Sequence, residues 1–213
     1  MATIPYKNAA GKRIAGVTTI IGNIGWGREQ LMYWAWNEGI EGRNYRDTKQ
    51  EAADSGTIAH SFIEAHLRGK EYVPSLDINP DIVSKAEKAF QNFLHWKSMV
   101  DFRILSLEEH LVSERYQYGA TPDCIAVING KNCLFDWKAS NGIYESYLIQ
   151  VSAYKVVWEE VHSDILIDGG HYLYRMDKES AAWTLHYWED LSLAWEAFLC
   201  AKKLHDLKKL IKP

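Results

Sequence analysis

The sequence is poor in cysteine. Only three of its 213 residues are cysteines, Cys124, Cys133 and Cys200. Three scattered thiols cannot form a disulfide framework, and they cannot supply the four thiolates of a zinc or iron–sulfur site. We therefore expect buried, inert thiols and no iron–sulfur cluster.

Long apolar segments are also missing. No run approaches the roughly 18 apolar residues of a membrane span, and the N-terminal segment MATIPYKNAAGKR lacks the apolar stretch of a signal peptide. The composition, 47% hydrophobic and 24% charged, is typical of a soluble globular protein. These features predict a cytoplasmic protein with no membrane partner.

The chain has no excess of basic charge either, since it contains 24 Lys and Arg residues and 28 Asp and Glu residues. Proteins that coat long DNA are usually basic, because phosphate neutralisation dominates that affinity. Any contact with nucleic acid should therefore be local and assisted by a metal ion. Trp26, Trp34 and Trp36 are candidates for base stacking, although packing between helices explains them equally well.

Hydrophobic periodicity predicts helices first and strands later. An extended segment is expected at 16–21, helices at 28–40, 47–68 and 80–100, and strands at 102–113, 118–128 and 131–140. A helix at 144–161, strands near 164–175 and 182–188, and a last amphipathic helix complete the order. The fold class is α/β, with a central mixed β-sheet flanked by helices. We expect one domain over 1–213: a mainly helical part at 1–100, a sheet core at 101–188 and a C-terminal helix at 189–213.

Charged residues interrupt two otherwise apolar strands in YGATPDCIAVINGKNCLFDWKAS. Asn129-Gly130 favours a two-residue type I′ turn, which would bring Asp123 opposite Asp136. A four-residue turn would bring Asp123 opposite Lys138 instead. Both faces of these strands carry apolar residues, so both should be covered, and either register gathers two carboxylates and one ammonium group at one end of the sheet.

Two carboxylates held together must share a proton or bind a divalent cation. A surface cluster of Asp, Lys and Asp is the alternative. His60 and Glu64, spaced i and i+4, would share a helical face and could supply a metal ligand with its orienting carboxylate, or could be a solvated helix face. Gln150 and Tyr154 share a helical face in the same way and could simply pack.

Five short motifs occur in order: GTIAH (56–60), the acidic strand SLEEHLVS, GATPD (119–123), DWK (136–138) and QVSAY (150–154). Over residues 16 to 160 this set resembles the RecB-like exonuclease branch of the PD-(D/E)xK nuclease superfamily. The resemblance implies a restriction-endonuclease-like αβββαβ core with N-terminal helical additions.

The resemblance also implies roles for individual residues. Asp123 and Asp136 would bind metal, together with His60 and the main-chain carbonyl of Trp137, while Lys138 would orient the attacking water. Gln150 and Tyr154 would contact DNA or brace the site. A further acidic catalytic residue on the first strand would be Glu108 or Glu109, and the distance to GATPD favours Glu108.

The expected cofactors are one or two Mg²⁺ or Mn²⁺ ions, and the expected partner is DNA, single-stranded or at duplex ends. The implied activity is a metal-dependent exonuclease acting on single-stranded ends in replication, recombination or repair, in a bacterial or phage-infected cytosol. An endonuclease of the same superfamily, an inactive DNA-binding module and a non-enzymatic scaffold protein remain open alternatives.

Overall fold

The structure is a computed structural model that describes residues 4–26, 28–140, 142–176 and 182–211. Six helices and seven strands lie in these ranges, in the order α1 (Val17–Ile21), α2 (Arg28–Ile40), α3 (Tyr45–Leu67), α4 (Pro80–Lys97), β1 (Phe102–Leu107), β2 (Leu111–Ser113), β3 (Tyr118–Ala120), β4 (Cys124–Ile128), β5 (Lys131–Ala139), α5 (Glu145–Val161), β6 (His171–Met176), β7 (Trp183–Trp188) and α6 (Ser192–Lys208). None of the helices described is long and apolar enough to cross a membrane.

Five strands form one mixed sheet in the order β1-β4-β5-β6-β7, and β2 and β3 form a separate pair. Neighbours in the large sheet are antiparallel except β5 and β6, which are parallel. A parallel pair needs a long crossover, and α5 supplies it between these two strands. The predicted α/β class, a mixed sheet flanked by helices, is therefore confirmed.

Helices cover both faces of the sheet, because its central strands are apolar on both sides. One face packs Ala126, Phe135 and Trp137 against residues of α3 and α4. The other packs Ile125 and Leu134 against α1, α5 and α6. The prediction that both faces of the β4–β5 hairpin are covered is confirmed.

The β4–β5 turn has the two-residue form that Asn129-Gly130 predicts. Asn129 has φ 50° and Gly130 φ 82°, the positive values that a type I′ turn requires at both central positions. Ile128 pairs with Lys131, and the register continues to Cys124 opposite Phe135. The next step along both strands brings Asp123 level with Asp136.

Several predicted boundaries were wrong. Residues 16–21 contain the helix α1, not an extended segment. Its β-branched residues favour strands, but burial of Val17 and Ile20 one turn apart outweighs that preference. The predicted strand at 102–113 is two strands in different sheets, separated by Glu108 at φ 51°.

The strand predicted at 118–128 is likewise divided, into β3 and β4, at the segment that contains Pro122, since proline cannot donate to a ladder. The strand expected from 164 begins only at His171. The expectation of buried thiols holds for Cys124 and Cys133 but is wrong for Cys200, which is exposed on α6.

Gly119 in the GATPD motif leaves room for an aromatic ring. A Cβ at this position would lie 1.9 Å from Cγ of Tyr6. The Tyr6 hydroxyl in turn hydrogen-bonds the Thr121 hydroxyl at 2.8 Å, so the N-terminal segment is fastened next to Asp123.

We expect Gly119→Ala to lower the free energy of unfolding by about 1–3 kcal/mol, because the methyl group must displace the Tyr6 ring. Chemical denaturation measures the change. The control is Gly39→Ala in α2, where a Cβ meets nothing within 4 Å and alanine should stabilise the helix slightly. Equal effects of the two substitutions would contradict the packing described for Tyr6.

Candidate metal centre

Three side chains from separate parts of the chain converge at one end of the sheet. Ligand atoms of His60, Glu108 and Asp123 all lie within 4.8 Å of one another. His60 comes from α3, Glu108 from the residue after β1, and Asp123 from the residue before β4. One nitrogen and two carboxylates at this spacing form a group that could hold a divalent cation.

A close helix–strand contact positions His60. A Cβ at Gly56 would lie 3.0 Å from Cβ of Ala139 on β5, so the absence of a side chain lets α3 approach the sheet closely. His60 lies one turn further along the same helix face, with its Nδ1 3.9 Å from Oδ2 of Asp123. This close contact explains why the first residue of the GTIAH motif is a glycine.

The structure distinguishes the two candidate glutamates. Glu108 belongs to the convergent group, and its N–H donates to the carbonyl of Asp123 at 3.1 Å. Glu109 instead accepts a hydrogen bond from Ser106 Oγ at 2.6 Å and lies 2.9 Å from Nε2 of His162. Glu108 is therefore the acidic residue that faces the site.

Asp123 is held by the neighbouring strand. Its Oδ2 accepts a hydrogen bond from the N–H of Trp137 at 2.8 Å. The N–H and C=O of one strand residue point to the same side of the strand, so the Trp137 carbonyl is directed towards the same end of β4. Its predicted role as a metal ligand stays a prediction with this geometric support.

Asp136 lies outside the group of three ligand residues, and its predicted role as a metal ligand beside Asp123 stays a prediction. Its side chain is fully buried, and Nζ of Lys138 lies 2.5 Å from its Oδ2. Among the residues described, no donor completes a regular hydrogen bond to either carboxylate oxygen. The carboxylate thus retains free acceptor capacity, which fits a ligand for a cation.

Burial and mutual repulsion shift the pKa values of these groups. Burial, reinforced by Asp123, raises the pKa of Glu108 to about 8, and burial raises that of Asp136 to about 6 although Lys138 opposes the change. The pKa of Asp123 is also raised by burial. Desolvation and the charge of Lys138 lower the pKa of His60 to about 4, so its ring is neutral and able to bind metal at pH 7.

Lys138 keeps its charge. Burial disfavours the ammonium group, but the carboxylates of Asp136 and Asp123 outweigh that effect and raise its pKa. Its Nζ also lies 5.2 Å from the centre of the Tyr147 ring, a contact that the sequence pattern did not single out. Lys138 therefore remains a proton donor at neutral pH.

Gln150 and Tyr154 meet on α5 as their spacing predicted. Gln150 Nε2 donates to the Tyr154 hydroxyl at 2.5 Å. Tyr154 is only 5% exposed, and the charges of Asp136 and Asp123 add to burial in raising its pKa. Of the two predicted roles, this burial favours bracing the site over contacting DNA for Tyr154.

Glu64 does not bind His60 through a hydrogen bond in the part of the chain described. Its carboxylate accepts from Nε of Arg68 at 2.8 Å instead. Arg68 also donates from Nη2 to the carbonyl of Leu107 at 3.0 Å, directly before Glu108. Arg68 was missed in the sequence, although its i,i+4 spacing from Glu64 is a recognisable signal.

Comparison with known proteins gives little further information. No protein-family model and no curated protein matches the chain. The fold is similar to the crystal structure of a protein from Eubacterium rectale named "Putative exonuclease", with a TM-score of 0.48 and 9% sequence identity. The match covers 73% of this chain and 66% of the other, so the chain spans just under two thirds of that protein's length. Similarity at this level is too low to indicate a function.

We expect Mn²⁺ binding to weaken at least about tenfold in His60→Ala, Glu108→Gln and Asp123→Asn, because each substitution removes a ligand from the convergent group. Isothermal titration calorimetry measures the affinities. Glu109→Gln is the matched control, since that carboxylate faces Ser106 and His162. Unchanged binding in the first three variants would mean that the ion binds elsewhere.

We also expect Asp136 and Glu108 to make the metal-free protein less stable as the pH rises from about 4 to about 8. In that window the folded protein keeps protons on Asp136 and Glu108, whose pKa values are about 6 and about 8, while the unfolded chain has released them. At these two groups the unfolded state therefore binds fewer protons, which lowers the free energy of unfolding as the pH rises, while the lowered pKa of His60 has the opposite effect below its ordinary value. Thermal unfolding in EDTA at several pH values measures this slope.

Two comparisons test the origin of the pH slope. Asp136→Asn should flatten it, because the buried group no longer ionises. Added Mn²⁺ should stabilise the protein most at the alkaline end, where the carboxylates are free to bind it. A slope unaffected by both changes would show that other groups cause it.

Proposed function

We propose that this chain is a divalent-metal-dependent deoxyribonuclease whose catalytic centre is formed by His60, Glu108, Asp123, Asp136 and Lys138. The observation that carries the proposal is the convergence of His60, Glu108 and Asp123 within 4.8 Å, beside a buried carboxylate in contact with an ammonium group. In this proposal residues 1–213 act as a single nuclease domain.

The donor set fits Mg²⁺ or Mn²⁺. Carboxylate oxygens suit both ions, and an imidazole ligand favours tolerance of Mn²⁺. His60, Glu108 and Asp123 would hold the ion, with the Trp137 carbonyl and Asp136 as further candidate ligands. A bound ion of this kind supplies charge stabilisation on the phosphoryl oxygens and lowers the pKa of a water nucleophile.

The remaining residues hold the site in position or neutralise its charge. Lys138 stays protonated beside Asp136, so it can donate hydrogen bonds to a phosphate oxygen or to the attacking water. Tyr154 and Gln150 support the floor of the site from α5. Arg68 fixes the segment before Glu108 through the Leu107 carbonyl.

Exposed aromatic residues support single-stranded DNA as the substrate. Trp26 and Trp36 are 59% and 62% exposed, so the simple explanation that they pack helices together does not account for them. Stacking of bases on exposed rings gives sequence-tolerant binding of single strands. Exonucleolytic cleavage at single-stranded ends is therefore the activity that we propose, and an endonuclease of the same superfamily is the alternative.

We expect degradation of labelled single-stranded DNA in the presence of Mg²⁺ or Mn²⁺ and none in EDTA. Lys138→Ala and Asp136→Asn should each lower the rate at least about a hundredfold, because they remove the proton donor and the buried carboxylate next to it. The control is Lys131→Ala, an exposed lysine at the start of the same strand. Full activity in Lys138→Ala would place the catalytic centre elsewhere.

Closed circular DNA separates the two kinds of nuclease. An exonuclease leaves covalently closed single-stranded circles intact while it degrades linear strands of the same sequence. Cleavage of the circles would replace the exonuclease assignment with an endonuclease. If DNA in every form stays intact after long incubation with Mn²⁺, the protein would instead be a DNA-binding module without nuclease activity.

A further inference from the structure

The helix α6 carries an exposed apolar stripe in addition to the face that packs on the core. Leu193, Ala197, Cys200, Leu204 and Leu207 follow one another at alternating steps of four and three residues. Leu193 is 78% exposed, Leu204 58% and Leu207 40%, and Cys200 is exposed as well. We call these five residues the α6 seam.

Four of the five seam residues lie away from the face of α6 that holds the helix in place, and the fifth, Ala197, is partly buried at the edge of that face and packs against the core. Phe198 and Ala201 are buried against the core, and Nδ1 of His205 lies 2.9 Å from Nδ2 of Asn23. Successive residues of a helix turn by about 100°, so Leu193, Cys200 and Leu204 lie about 120–160° around the helix from Phe198. Of the five seam residues, only Ala197 also contributes to the core packing of α6.

Apolar residues at steps of four and three are the a and d positions of a coiled coil, which pack against a second helix with the same pattern. An exposed stripe of this kind on a globular protein marks a site of association. From this pattern and the charges beside it, we propose that two copies of this chain associate through antiparallel pairing of their α6 seams.

The charges flanking the seam decide the orientation. Glu196 and Lys203 precede Ala197 and Leu204, and so occupy the flanking g positions. Antiparallel pairing with Ala197 opposite Cys200 of the partner subunit brings Glu196 next to Lys203 of the partner subunit, and symmetry forms this pair twice. Parallel pairing would instead bring Lys203 next to Lys208 of the partner subunit, which is repulsive.

In the same register, the side chains that lie opposite each other have complementary sizes. Leu193 lies opposite Leu204 of the partner subunit at both ends, and the small residues Ala197 and Cys200 meet in the middle. Small central side chains allow the two helices to approach closely, while the terminal leucines fill the ends. Antiparallel pairing thus places Leu193, Ala197, Cys200 and Leu204 in apolar layers and matches the flanking charges, while Leu207 lies beyond the last paired layer.

Sedimentation of the full-length protein over a wide concentration range tests the proposal. We expect a species of twice the 24.5 kDa chain mass, and we expect Leu204→Glu to be monomeric with an unchanged circular dichroism spectrum. Leu76→Glu is the control, because Leu76 is 99% exposed in the loop before α4. A wild-type protein that stays monomeric at its highest soluble concentration, or a dimer that persists in Leu204→Glu, would overturn the proposal.

Charge reversal tests the orientation without disturbing the apolar layers. Glu196→Lys and Lys203→Glu should each raise the dissociation constant at least about tenfold, and the double substitution should restore association because the pairs form again with opposite signs. Failure of the double variant to recover would exclude the antiparallel register. A short bis-maleimide should link two chains through Cys200 in the wild type and not in Cys200→Ala, since the other two thiols are buried.

Discussion

The register of β4 against β5 is the constraint on which the candidate site depends. Asn129 and Gly130 close the hairpin with positive φ angles, and the pairing that follows runs without a shift to Cys124 opposite Phe135. One position further on, the Asp123 carboxylate accepts the Trp137 N–H and replaces the next hydrogen bond of the ladder. A slip of one residue would turn Asp136 and Lys138 to the opposite face, so a turn remote from the site determines which charged groups meet in it.

Local sequence patterns predicted much of the fold around the site. The features that depend on long-range packing could not be predicted in this way. The Asn-Gly turn and the helix α5 follow from turn preference and hydrophobic periodicity, whereas a place for His60 beside Asp123 was implied by the resemblance of the GTIAH motif to a nuclease family. The distance to GATPD favoured Glu108 over Glu109, but the choice is made by a positive φ at Glu108 and by the partners of Glu109, Ser106 and His162, which no local pattern encodes. The same limit explains α1, whose β-branched sequence favours a strand, while burial of Val17 and Ile20 selects a helix.

The shifted pKa values show how the repulsion between neighbouring carboxylates is reduced in the site. Burial and neighbouring charge keep Glu108 mostly protonated at neutral pH, and Lys138 compensates Asp136. His60 is neutral because desolvation and Lys138 disfavour its charged form. A proton on Glu108 and the ammonium group of Lys138 therefore offset two of the three carboxylates. In the proposed function a divalent cation replaces that proton, so metal binding must release protons and must strengthen as the pH rises.

The charge pairing also constrains how the proposed nuclease can hold DNA. Net charge is −4, and the cations nearest the site are already engaged, Lys138 with Asp136 and Arg68 with Glu64. Within the described part of the chain, these two cations are therefore not free to displace counterions from a phosphate backbone, the effect that usually dominates DNA affinity. Binding must then depend on the metal ion and on stacking by exposed rings such as Trp26 and Trp36. Bases are available for stacking where they are unpaired, so in the proposed function this charge balance would favour single strands and ends over long duplexes.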